Sequence, residues 1–126
     1  MKIITTILTT LETPDDQGND WYAWATNQLS HAMIGVTLTG GLSFLTHPIT
    51  AFWLLMGYAI GKEIFDLSQK FNLRALRDSL HDILFQMSGS WLAIGLFAHS
   101  LTLFVVAVLL GVSLLADGVA SRIEAK

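Results

Sequence analysis

Glu63 and Asp66 stand one helical turn apart in "GKEIFD" (61–66), and Asp78 and Asp82 stand four residues apart in "RDSLHD" (77–82). Residues three or four apart share a helix face, so each pair turns its acids to one side. His31, in "NQLSHAMIG" (27–35), adds an imidazole from a third segment. Carboxylates with one imidazole make a hard-oxygen donor set that suits Mg²⁺, Mn²⁺ or Ca²⁺, and Zn²⁺ less well. The same groups can position water for hydrolysis. Glu63 and Asp82 are then the expected catalytic or ligating carboxylates, His31, Asp66 and Asp78 complete the ligand set, and Arg74 with Arg77 would clamp a phosphate or lipid headgroup. The competing account makes the four acids solvated helix ends, paired with Lys62, Arg74 or Arg77 and favoured by a helix dipole.

The surroundings of these groups argue for the first account. Of 126 residues, 52% are hydrophobic and only 13% charged, and the mean hydropathy of +0.55 lies outside ordinary soluble usage. Such a chain reads as a membrane protein. It has no cysteine, which excludes disulfides and thiolate metal sites. Its net charge of −3, without a basic stripe, excludes nucleic acid as a partner.

The elements that must carry the acids follow from punctuation and length. Within residues 1–20, Ile3, Ile4, Ile7, Leu8 and Leu11 recur at helical spacing with threonines on the other face until Pro14, which fits either a short amphipathic segment lying in the membrane interface or a flexible tail. Asp20 can cap a helix opening on "WYAW" (21–24), an aromatic cluster suited to headgroup depth. A first span is expected over about 21–45. "THP" (46–48) makes a turn, and Pro48 opens a second span to about 67. From Ile83 to Ala116 no residue carries a formal charge, a run too long for one span of about 20 residues. His99-Ser100 halves it, giving spans at about 77–98 and 99–119. With four spans, all seven Lys and Arg residues fall on one side, which predicts cytoplasmic termini and an inner-membrane location. The fold class is therefore all-α and polytopic, with four transmembrane helices as two hairpins in one domain (21–126). Asn27, His31 and Gly35, then Ala59, Glu63, Asp66 and Lys70, then Asp78, Asp82, Gln86, Gly89 and Ala93, give three of the helices a polar or small face. Gly57-x-x-x-Gly61 would let the second span approach a neighbour closely. His47 and His99 fall in the far turns, where capping or solvation is expected.

In the order N-x-x-x-H-A-x-x-G (27–35), G-K-E-x-x-D (61–66) and R-D-S-x-x-D-x-x-F-x-x-x-G (77–89), the chain resembles the small VanZ-like membrane proteins and the related YfiM-type envelope proteins. The likeness covers about half of the chain and departs from the family pattern at Asn27, where an aspartate is expected. It implies a bacterial-type cell-envelope membrane protein with His31, Glu63, Asp66, Asp78 and Asp82 as site residues, and it implies no particular reaction. The expected function is binding of a divalent cation or a polar lipid headgroup at the cytoplasmic half of the bundle, with hydrolysis as an extension and membrane lipids as partners. Two alternatives stand beside it: an oligomeric pore or lysis protein of the phage holin kind, and an accessory subunit of a membrane complex. No nucleophile elbow, phosphate-binding glycine loop or zinc-protease motif is present.

Overall fold

The computed structural model describes residues 20–69 and 71–124; the expected interfacial segment at 1–19, and Lys70 of the second polar face, lie outside them. Among the described residues the protein is all-α, with four helices and no strand: α1 Trp21–Ser43, α2 Pro48–Gln69, α3 Leu73–Phe97 and α4 Leu101–Ile123. Each start has a local cause. The Asp20 carboxylate accepts the backbone N–H groups of Tyr22 and Ala23, both at 3.0 Å, and caps α1. Pro48 occupies the first position of α2, where its missing N–H goes unneeded, and His47 Nδ1 accepts the N–H of Ile49 at 3.3 Å. Asn72 caps α3 through Ala75, and Ser100 caps α4 through Leu103. His99 turns the chain between α3 and α4 with φ of 50°, so the uncharged run from Ile83 to Ala116 does break where its length requires.

α1 and α3 run parallel as a central pair. Trp24 lies beside His81 and Phe85, His31 beside Gln86, and Phe44 beside Phe97, so both helices advance together. Their backbones touch where side chains vanish. A Cβ added at Gly89 would meet the Ala32 carbonyl, 2.8 Å from its carbon, and one at Gly35 would lie 3.0 Å from both the Gln86 carbonyl carbon and the Ser90 nitrogen. α2 and α4 flank this pair, and among the described residues no Cα of one comes within 8 Å of a Cα of the other. Gly57 and Gly61, expected to draw α2 against a neighbour, instead face outward; a Cβ on either would meet nothing within 4 Å. Their spacing repeats every four residues but falls on the helix face opposite Ala59 and Glu63.

The distribution of residue types is inverted relative to a soluble bundle. Among the described residues ten polar or charged residues are buried against ten apolar ones, while 26 large apolar residues are exposed. A soluble fold buries polar side chains sparingly. The apolar core that exists is small, built from Phe52, Leu55, Met56 and Ile94 with Met87, Trp91 and Leu103 packed on it. Among the described residues one helix, Leu101–Ile123, is by length and composition apolar enough to cross a membrane, and only 11% of its apolar stretch is buried. The other three helices are of similar length but do not reach that apolarity.

Candidate functional site

Along the α1–α3 seam a chain of side-chain contacts joins the two helices. Gln28 Nε2 donates to Asp82 Oδ1 at 2.6 Å, His31 Nε2 lies 3.4 Å from Asp82 Oδ2, and Gln86 Nε2 lies 3.1 Å from His31 Nδ1. With the Gln86 amide donating, Nδ1 accepts and the imidazole carries its proton on Nε2, toward Asp82. Gln28 and Gln86 are 1% and 2% exposed, and the Oε1 atom of each is buried with no hydrogen-bond partner among the described residues. Further along the seam the Thr39 hydroxyl donates to Ser90 Oγ at 2.9 Å, and Ser90 in turn donates to the Gln86 carbonyl at 2.8 Å. Gly35 and Gly89 bring the helices close enough for these short side chains to meet.

On α2, Glu63 is 4% exposed and faces inward with Ala59. Lys62 Nζ lies 3.0 Å from Glu63 Oε1 and 2.7 Å from Asp66 Oδ2, so one ammonium serves both carboxylates. Lys62, Glu63 and Asp78 are within electrostatic range of Asp82.

Asp78 departs from the expected ligand set. Its Oδ1 accepts from Arg122 Nη2 at 2.7 Å, and that guanidinium also donates to the Gly118 carbonyl and lies 4.2 Å over the Trp24 ring. Trp24 is 1% exposed and fits against Gly118, where any Cβ would collide with its ring. Asp78 thus belongs to a latch that fastens the end of α4 to α1 and α3. Arg77, expected as half of a phosphate clamp, lies 2.9 Å from the exposed Asp117 carboxylate. His81 Nδ1–H donates to the Arg77 carbonyl, which turns Nε2 toward Asp117 at 3.4 Å. Arg74 lies exposed in the first turn of α3.

Of the expected site residues, then, His31 and Asp82 meet directly, Glu63 and Asp66 share Lys62 nearby, and Asp78 and Arg77 are drawn to α4. Among the described residues no three His, Asp or Glu side chains come together closely enough to hold a metal ion. Residue-type reasoning missed Gln28, Trp24 and Arg122. Asn27, singled out in its place, is half-buried and one position off the seam. The signal for Gln28 was spacing: Trp24, Gln28, His31 and Gly35 follow i, i+4, i+7, i+11, one continuous face. No protein-family model, curated protein or solved structure matches this chain.

Proposed function

We propose that this is a small integral membrane protein, of the cell-envelope kind that the VanZ-like resemblance suggests, whose helices enclose a ligand site centred on Asp82 at the end of the bundle shared by the α2–α3 turn. The ligand is a cation or the charged headgroup of a lipid. The observation that carries this reading is the inverted distribution: polar groups line the seam while large apolar side chains cover the outside. In hydrocarbon the outward apolar residues are solvated, whereas buried polar groups mark a functional interior. Helices of 22 to 25 residues are about 33–38 Å long, enough for a hydrocarbon core of about 30 Å.

A hydrolytic extension is less well supported. Both ring nitrogens of His31 are engaged, one with Asp82 and one with Gln86, so the imidazole positions Asp82 rather than standing ready as a base. The pore reading needs polar stripes at contacts between subunits, and here those stripes find their partners within one chain.

The test compares purified wild type with Asp82→Asn by elemental analysis and by native mass spectrometry for retained lipid. A metal ion or lipid held by wild type and lost from Asp82→Asn is expected. Equal retention by both proteins, or none by either, would overturn the reading.

A further inference from the structure

We propose that Asp82 and Gln28 form a monovalent-cation site between α1 and α3, of the sodium or potassium class. This rests on reading the Asp82 region as a ligand site, and it names the ligand. Of Glu63, Asp66, Asp78, Asp82 and Asp117, Asp82 alone has no described Lys or Arg nitrogen within 4.0 Å; the others are met by Lys62, Arg122 or Arg77. Among the described residues its two oxygens meet a neutral amide and His31.

A carboxylate alone does not make a site, and Gln28 provides the independent indication. Its side chain is almost fully buried, and its Nε2 is fixed by the 2.6 Å bond to Asp82. The planar amide holds Oε1 about 2.3 Å from Nε2, so this oxygen lies within about 5 Å of the carboxylate. It is an acceptor with no described donor. Burying such an acceptor unpaired is unfavourable, and a cation shared with the adjacent carboxylate satisfies both oxygens.

Charge and donor number select the ion. A divalent ion in a low-dielectric seam needs a second carboxylate in its shell, and the acids within range of Asp82, Glu63 and Asp78, are held by Lys62 and Arg122. A monovalent ion is neutralised by Asp82 alone and accepts neutral carbonyl-type oxygens in its shell, of which the Gln28 amide presents one.

The experiment measures the thermal unfolding midpoint of the full chain in lipid nanodiscs while NaCl or KCl replaces choline chloride at constant ionic strength. Wild type should gain a few degrees in a saturable manner. Asp82→Asn should lose the response, Gln28→Met should weaken the apparent affinity about tenfold or more, and Asp117→Asn should respond as wild type. Calorimetric titration of NaCl into wild type and Gln28→Met gives a second readout that does not depend on Asp82→Asn folding. A flat wild-type response to both salts, or an unchanged response in Asp82→Asn or Gln28→Met, overturns the proposal. A wild-type response to MgCl₂ or to an added lipid, without one to Na⁺ or K⁺, also overturns it while leaving the broader ligand-site reading in place.

Discussion

Replacing Gly89 by alanine should separate the central helix pair and dismantle the polar seam. The added Cβ would fall on the Ala32 carbonyl group, 2.8 Å from its carbon and 3.1 Å from the Ala32 Cα. Carbon atoms rest at about 3.5–4.0 Å, so α1 and α3 must part by about 1 Å locally. Both partners are backbone within helices, so no side-chain rotation relieves the clash. Overpacking of this kind costs about 1–3 kcal/mol, and the upper end applies where backbone meets backbone. The better helix propensity of alanine returns about 0.5–1 kcal/mol, leaving a net loss of about 2 kcal/mol. A 1 Å separation also stretches the 2.6 Å Gln28–Asp82 bond toward about 3.6 Å, beyond hydrogen-bond reach. Gly57→Ala and Gly61→Ala are the controls, because their new methyl groups meet nothing, and they should be neutral or stabilising by up to about 1 kcal/mol. Denaturant titration of all three variants in detergent micelles, followed by circular dichroism, ranks them directly. Gly89→Ala proving as stable as Gly57→Ala would refute the close α1–α3 contact.

Arg122→Ala should cost about 2–4 kcal/mol in the same titration, since it leaves Asp78 half-buried without a partner and uncovers the Trp24 ring. Arg77→Ala should change stability by less than about 0.5 kcal/mol, because its pair with Asp117 is solvent-exposed, with side chains 48% and 61% accessible. Thr39→Val should cost about 0.6 kcal/mol, the usual worth of one interhelical hydrogen bond in a membrane, and Ser90→Ala in the Thr39→Val background should add little beyond the loss of its own bond to Gln86. His47→Ala and His99→Ala should bind ligand as wild type, whereas His31→Ala should weaken binding by releasing Asp82 from its fixed orientation; isothermal titration of the three variants makes the comparison.

Much of the helical layout was legible because it rests on local chemistry. Asp20 and Pro48 mark helix starts by their own side chains, and the length of the uncharged run from Ile83 to Ala116 demands a break near His99-Ser100. The His31–Asp82 contact was legible in outline, since a buried imidazole needs a partner and few acids share its depth. Partner choice was not. Whether Asp78 faces Asp82's ligands or Arg122 depends on how α4 rotates about its axis, and nothing local in "ADGVASRIE" (116–124) sets that rotation. Gly118 takes part in setting it, since any Cβ there would collide with the Trp24 ring, and this becomes visible only when the two helices are packed. The outward direction of Gly57 and Gly61 was hidden for the same reason: a small-residue pair can serve the face of a helix that meets a neighbour or the face that does not.

The chain contains no cysteine, so single cysteines can be introduced without a background. Placed one at a time at Val105, Leu109 and Val112 on the exposed face of α4, and at Ser88 and Gln86 in the interior, they can carry nitroxide labels in the reconstituted protein. The account predicts that labels at Val105, Leu109 and Val112 collide with membrane-dissolved oxygen and are shielded from a water-soluble nickel chelate, while labels at Ser88 and Gln86 are shielded from both. Ready collision of the Leu109 and Val112 labels with the nickel chelate would place that apolar face in water and contradict the membrane-embedded, polar-centred bundle on which the site at Asp82 depends.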